Sequence, residues 1–360
     1  MTRTQTQPSA LSGRPARRRS GASVTGRSIG GATALLGAIG LGAFAWGSLV
    51  ERRRFTLREV TVPVLAHGSA PIRVLHISDL HMAPWQRDKQ AWVRGLANLR
   101  PDLVVNTGDN LGHADGIAGV AYALEPFRGV PGVFVNGSND MVGPEMKNPL
   151  RYFLGPSKRR GLEPDAPGAR SSATARTAPS HEKLDLASLH AVFADLGWTD
   201  INNAAESMNL GETHIEFFGV DDPHIGHDRL DLITRAIDDL RANDPLGDEG
   251  WPGRDDAARS TLTIGVAHAP YQRILNSFVN HGAQLILAGH THGGQVCVPG
   301  FGALVTNCDI PRRQVKGLSL WNLGLRTAFL NVSAGLGTSI YAPVRFACPP
   351  EATLLTLTAE

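Results

Sequence analysis

Gly289-His290-Thr291-His292-Gly293-Gly294-Gln295 follows directly on the apolar run Leu285-Ile286-Leu287-Ala288. A short apolar run that ends in glycine reads as a buried strand whose tip turns sharply. That puts imidazoles at i and i+2 where open α/β sheets keep their ligands. Two histidines beside glycines are also ordinary loop residues, so the reading depends on partners. Four further apolar runs end the same way. Val74-Leu75-His76-Ile77-Ser78 leads into Asp79-Leu80-His81, and Leu103-Val104-Val105-Asn106-Thr107 into Gly108-Asp109. Val133-Phe134-Val135-Asn136 leads into Gly137-Ser138-Asn139-Asp140, and Leu262-Thr263-Ile264-Gly265-Val266-Ala267 into His268. Carboxylate, imidazole and amide groups at repeated strand tips suit Mn, Fe, Zn or Mg rather than copper(I) or an iron–sulfur cluster.

The chain has 360 residues, 42% of them hydrophobic, enough for a sizeable core in one large domain or two. Its formal net charge is +2, but residues 1–58 hold ten arginines and one acid, +9, which leaves −7 for the remainder. The mildly acidic remainder gives no basis for nucleic-acid binding, and none is expected. Cys297, Cys308 and Cys348 are too few, and odd in number, for a disulfide framework, and read as small apolar residues.

Residues 1–28 are basic and poor in apolar side chains, the composition of a disordered segment. Ile29–Val50 runs 22 residues without a charge, the length of a transmembrane helix, with a cleaved signal peptide as the competing reading. Arginines on both sides nearly cancel the orientation signal. The expectation is a single-pass anchor with the N-terminus in the cytoplasm and the catalytic domain outside. Residues 51–70 read as a linker with an edge strand at Val60–Val64, where Pro63 is tolerated. Residues 71–358 form the catalytic domain, in which strand patterns alternate with helical ones at Asp88–Leu99, Ile117–Phe127, Leu184–Leu196 and Leu230–Leu240. Further strands are expected at Ile201, Met208–Leu210 and His214–Val220. Residues 157–183 lack apolar periodicity and read as a disordered insertion.

The ordered set Asp79-x-His81, Gly108-Asp109, Gly137-Ser138-Asn139-Asp140, His268 and Gly289-His290-Thr291-His292 resembles the calcineurin-like metallophosphoesterase superfamily. Gly335-Leu336-Gly337-Thr338-Ser339 and Pro343-Val344-Arg345-Phe346 are similar to its membrane-associated bacterial phosphodiesterase branch. The resemblance implies an α/β four-layer sandwich of two mixed β-sheets flanked by helices, the second sheet completed by Ala328–Val332 and Ala352–Leu357. It also implies two divalent metal ions. One is held by Asp79, His81 and His292, the other by the third-motif amide, His268 and His290, with Asp109 bridging. A carboxylate has lone pairs for two cations, and ions roughly 3.5–4 Å apart clamp both oxygens of an in-line displacement. The resemblance implies that such a centre would supply a hydroxide nucleophile for phosphorus, with no covalent protein intermediate.

The third motif departs from the family pattern, because Ser138 stands at the metal-ligand position and Asn139 at that of the histidine serving the leaving group. A serine hydroxyl is a poor ligand, so Asn139 is expected to supply the amide oxygen, with Ser138 as the alternative. Asparagine cannot donate a proton as an acid does. His113 and His224 are the candidate donors in its place; without one, leaving groups of low pKa are favoured. Lys147, Asn148 and Arg151 either line the substrate mouth or form a solvated face. His76 reads as a core residue. The substrate implied is a phosphodiester or pyrophosphate, lipid-linked if an anchor holds the site near the membrane; UDP-2,3-diacylglucosamine hydrolysis enters by resemblance only. The rival readings are a non-catalytic metal-binding membrane protein whose altered third motif abolishes turnover, and a soluble exported phosphatase.

Overall fold

The apolar runs become strands of two six-stranded sheets in the computed structural model, which describes residues 24–143, 183–243, 260–338 and 342–359. Contacts divide the chain into Met1–Ala43 and Phe44–Glu360. Helix α1 (Val24–Leu49) covers the charge-free run and begins inside the segment expected to be disordered. Among the described residues no helix is long and apolar enough to cross a membrane. Residues 1–23 of the basic segment, 157–182 of the insertion, and Lys147, Asn148 and Arg151 lie outside the described residues.

In chain order the elements of the second unit begin with β1 (Thr56–Leu65), β2 (Ile72–Ile77), α2 (Arg87–Gly95), β3 (Leu103–Asn106) and α3 (Ile117–Leu124). Then come β4 (Gly132–Phe134), α4 (Ser138–Met141), α5 (Leu186–Leu196), β5 (Trp198–Asp200), β6 (Ala204–Leu210) and β7 (Thr213–Gly219). The chain continues through α6 (Leu230–Ala242), β8 (Ser260–Ala267), α7 (Gln272–Asn280) and β9 (Leu285–Ala288). It closes with β10 (Cys297–Val298), β11 (Gly302–Ala303), β12 (Gly317–Leu323), β13 (Arg326–Val332) and β14 (Glu351–Ala359).

The first sheet runs β1-β14-β2-β3-β4-β5, and the second runs β12-β13-β9-β8-β7-β6. Both are mixed: β2 through β5 are parallel neighbours, as are β13, β9, β8 and β7, with antiparallel pairs at β14–β2, β12–β13 and β6–β7. Parallel strands need crossover connections, and the intervening helices supply them except between β9 and β13, where β10, β11 and β12 intervene. Val74, Val105, Val133 and Leu355 meet Ile215, Phe217, Ile264 and Leu287 between the sheets. Outside the first sheet Val93, Val120 and Leu189 carry α2, α3 and α5; outside the second, Ile233, Ile237, Ile274 and Phe278 carry α6 and α7. At ~1.5–3 kcal/mol for each fully buried aliphatic or Phe side chain, these three clusters dominate the favourable side of folding.

Two sequence expectations are corrected. Ala352–Leu357 lies in β14 of the first sheet, parallel to β1 and antiparallel to β2, and not in the second sheet. Its residues are buried on both faces, Leu355 and Leu357 towards the inter-sheet core and Ala352 and Leu354 towards the helices, which requires an interior strand. Ile201 is buried just past β5 and outside any strand. The edge strand with Pro63 stands as read, in β1. His76 is the core residue expected: its Nε2 meets Thr107 Oγ1 at 3.0 Å and its Nδ1 meets Asn331 Nδ2 of the facing sheet at 2.9 Å. Burial lowers its pKa to about 4, with Asp79 opposing, so it is a neutral polar tie between the sheets.

Candidate metal centre

The strand tips of both sheets meet at one end of the sandwich, and their turns are bonded to one another. Asp79 N donates to Gly108 O (2.9 Å), His81 N to Asp109 O (3.0 Å) and Gly289 N to His268 O (2.8 Å). Asp79, His81, Asp109, His290 and His292 all adopt left-handed backbone, with φ of 51°, 39°, 56°, 67° and 50°. That conformation costs L-residues of order 1–3 kcal/mol each and persists where the surroundings over-determine it, as at functional sites. Glycines make the crowding feasible. A Cβ on Gly137 would lie 2.2 Å from Asp109 Oδ1, and one on Gly289 would lie 1.9 Å from Ser78 Oγ.

Ligand atoms of Asp79, His81, Asp109 and His292 lie within 4.8 Å of one another. His81 Nε2 faces His292 Nε2 at 3.1 Å and Asp109 Oδ2 at 3.5 Å, while His292 Nε2 lies 3.3 Å from Asp79 Oδ1. On the other side of Asp109, its Oδ1 is 3.5 Å from His268 Nε2, which faces His290 Nδ1 at 3.3 Å. Asn139 donates from its side-chain amide to Asp109 Oδ2 (2.7 Å) and from its N–H to Oδ1 (2.8 Å). Of Ser138 and Asn139, it is thus Asn139 whose side chain bonds the Asp109 carboxylate.

This donor set fits cations. Burial lowers the His81 imidazole to about 4 against the pull of Asp109, and burial with His224 and His268 holds His290 well below its ordinary value. The neutral imidazoles of His81 and His290 each face a second imidazole nitrogen, that of His292 at 3.1 Å and that of His268 at 3.3 Å, and a cation can share such donors. Burial raises the Asp109 carboxyl, yet the His268 imidazole outweighs it and the group lies well below the carboxylate range. For Asp79, burial is likewise overcome by His292. His268 moves oppositely: burial lowers it, but the Asp109 carboxylate drives it well above its ordinary value. His268 Nδ1 donates to Thr107 O at 2.7 Å, which leaves Nε2 free for a ligand role. Nδ1 of both His81 and His292 is buried without a protein partner.

Asp140 organises the turns. Its carboxylate accepts from the N–H groups of Asp109 (2.9 Å), Asn110 (2.6 Å) and Gly137 (3.0 Å), binding the second motif to the third. Sequence reading quoted it only as the end of the third motif. Nothing in Thr306-Asn307-Cys308-Asp309 marks Asn307, whose carbonyl and amide lie 3.2 and 3.1 Å from His290 Nε2. His224 comes to the site, its ring centroid 4.4 Å from that of His290 and its Nδ1 3.0 Å from the Tyr271 hydroxyl. Asp222 Oδ1 holds the His224 N–H at 2.8 Å. His113 does not join the ligands. It accepts the Asp115 N–H and packs edge-on against Trp85.

Lys89 is buried behind His81 and donates to the carbonyls of Leu80 and His81. Burial, then the charges of Arg345 and Arg52, lower its ammonium from 10.5 to about 7. Between those values the unfolded chain binds the extra proton, so stability rises with pH across this window and the contribution is flat below it. In chelator-treated protein, Lys89→Met is expected to remove up to about 1.4 kcal/mol per pH unit of that rise, measured by urea unfolding from pH 7 to 10. Identical slopes for the two proteins would overturn this reading of Lys89.

An α/β sandwich with this ligand set at its strand tips places the protein among the metal-dependent phosphoester hydrolases, with a centre for two divalent ions. Residues 72–294 match the profile of the calcineurin-like phosphoesterases, and the chain belongs to that family. It is 21% identical over 335 residues to the uncharacterized metallophosphoesterase YkuE of Bacillus subtilis, covering 91% of this chain and 92% of that one. Among solved structures it is similar to a dimetal phosphatase from Danio rerio (TM-score 0.36, 11% identity, 74% of this chain and 88% of that one). It is also similar to the phosphopantetheinyl hydrolase of Mycobacterium tuberculosis (TM-score 0.35, 11% identity, 77% and 95%). At these scores the solved structures register likeness alone.

Proposed function

We propose that the protein is a membrane-anchored phosphoesterase acting on phosphodiester or pyrophosphate bonds, with a lipid-linked molecule as its substrate. The observation that carries the reaction class is Asp109, whose two oxygens face imidazoles of two different sets, His81 on one side and His268 on the other. In this reading Asp79, His81 and His292 hold one ion, His268, His290 and Asn139 hold the other, and Asp109 serves both. When bound, the ions supply a nucleophile from water at neutral pH and neutralise charge on the phosphoryl oxygens. The chain's own contribution is orientation. Thr107 O fixes the tautomer of His268, Asn307 steadies His290, and Asp140 locks the turn that carries Asp109.

His224 is the leaving-group proton donor in this proposal, its ring beside that of His290 and its Nδ1 steadied by Tyr271. This role takes over from the histidine absent from the third motif. Membrane anchoring is supported by the exposed apolar side chains of α1, Ile39, Leu41, Phe44 and Leu49, a surface better matched to lipid than to water. In this reading the catalytic domain lies outside the cytoplasm. A UDP-diacylglucosamine-type pyrophosphate is one member of the substrate class.

One experiment tests anchor, activity and donor together. Membranes from expressing cells are washed with alkaline carbonate, and pellet and supernatant are assayed with Mn(II) and bis-p-nitrophenyl phosphate. Activity is expected in the pellet; activity in the supernatant removes the anchor, and none in either fraction removes the enzyme. Toward an alkyl phosphodiester His224→Ala should lose about 10²-fold in kcat, the scale of general acid catalysis, with a smaller loss for nitrophenolate, which leaves unaided. His113→Ala should change neither, and equal losses for the two substrates would remove His224 as donor.

A further inference from the structure

Between the turn at residues 52–55 and the start of α2 lies a cavity of about 290 Å³. Arg52, Arg53, Arg87 and the buried Lys89 line it, with Asp88 as the one acid among its lining residues. Among the described residues no carboxylate forms an ion pair with any of these four basic side chains, and Arg52 Nε is buried without a hydrogen-bond partner. Glu51, the acid nearest in sequence, is engaged elsewhere, accepting from Cys348 N (2.6 Å) and Trp46 Nε1 (2.9 Å). Trp85, 62% exposed, forms part of the wall. Gathering uncompensated cations around a concavity is unfavourable unless something of opposite charge enters it.

The cavity adjoins the ligand cluster. Its floor includes Leu336-Gly337, whose N–H groups donate to Ser78 O (3.1 Å) and Asp79 O (2.6 Å). A Cβ on Gly337 would lie 2.7 Å from the His81 Cβ, so a single peptide separates the cavity from the residues that carry the ligands. Guanidinium groups bind phosphate through paired, charge-assisted hydrogen bonds, and an indole face beside them accepts a flat or apolar neighbour.

We propose that this cavity binds a second anionic group of the substrate, a phosphate carried on a lipid headgroup or on a soluble molecule, beside the phosphoryl group that reacts. This rests on the phosphoesterase reading for the identity of the ligand as substrate, but the binding itself is measurable without turnover. Inorganic pyrophosphate is titrated calorimetrically into the full chain in detergent micelles containing EDTA, so that the ligand cluster carries no metal. The double variant R53E/R87E reverses two exposed charges and leaves the buried ones in place. Pyrophosphate affinity is expected to fall at least about tenfold, as for loss of charge-assisted contacts at a partly exposed site.

Equal affinity in the two proteins, or no binding by the unaltered one, overturns the proposal. Adding phosphatidate to the micelles assigns the source: competition with pyrophosphate places a lipid phosphate in the cavity, and absence of competition places a soluble one there. Turnover of bis-p-nitrophenyl phosphate by the unaltered protein with Mn(II) is read separately. Its absence would remove the phosphoesterase reading while leaving the binding result intact.

Discussion

Asp109→Asn is expected to lower kcat/KM toward bis-p-nitrophenyl phosphate by about 10³-fold or more, and to reduce bound metal from two equivalents per chain. Each oxygen of Asp109 lies 3.5 Å from an imidazole of a different set, so the substitution touches both halves of the centre at once. Replacing one carboxylate oxygen by an amide nitrogen removes a lone pair and a charge where both ions need them. The remaining ligands come from separate strand tips and are held by the backbone, so the fold should survive. Asp140 still accepts the N–H groups of residues 109 and 110. Replacement of a single electrostatic group at a preorganised site commonly costs 10²–10³-fold; the proposed service to two ions would put Asp109 at or above the upper end. Metal content by plasma emission, alongside kinetics, separates the causes. A variant that keeps two equivalents and loses less than tenfold in kcat/KM would show that Asp109 does not join the two halves.

That prediction uses residues legible from sequence, because each strand tip announces itself by a local pattern: an apolar run, a glycine, then Asp, His or Asn. Asp79, His81, Asp109, His268, His290 and His292 follow that rule, and the structure brings them together. In sequence Asn139 is separable from Ser138 only by the chemistry of amide and hydroxyl; in the structure its amide nitrogen donates to Asp109 Oδ2. What the sequence hides is everything that depends on a partner far along the chain. β14 has a strand pattern but no mark of its sheet, since both faces are apolar and either sheet would accept it. Asn307 and Tyr271 sit in stretches without periodicity and matter only because His290 and His224 arrive beside them. His113 and His224 look alike in sequence, and only the fold distinguishes them, sending one to Trp85 and the other to His290.

Arg345→Ala is expected to destabilise the protein by about 3–5 kcal/mol, the cost of removing one member of a buried polar network. The Arg345 side chain is wholly buried among main-chain carbonyls. Its Nη2 donates to Ala334 O (2.7 Å), Gly335 O (3.0 Å) and Gly337 O (2.7 Å), and its Nη1 to Cys348 O (3.2 Å). Burial lowers its pKa while Cys348 and Asp79 oppose that, yet a guanidinium stays charged throughout the accessible range. Loss of the fork leaves several carbonyls dry and unpaired and opens a cavity, both of which raise the energy of the folded state. The effect should reach the metal centre. Gly335 leaves no room for a side chain, a Cβ there lying 2.6 Å from the Asp79 Cβ, and Gly337 N donates to Asp79 O. Slackening this loop therefore loosens the carboxylate that faces His292. Under conditions where the variant is still folded, kcat should drop about tenfold, as for misplacement of a positioning group by a fraction of an ångström, with KM nearly unchanged. Arg345→Lys keeps the charge but has three donors and no planar fork, so it should fall between the two in unfolding midpoint. If urea unfolding places Arg345→Ala within 1 kcal/mol of the unaltered protein, roughly the net worth of a single ordinary hydrogen bond, the carbonyl hub is not what holds this loop.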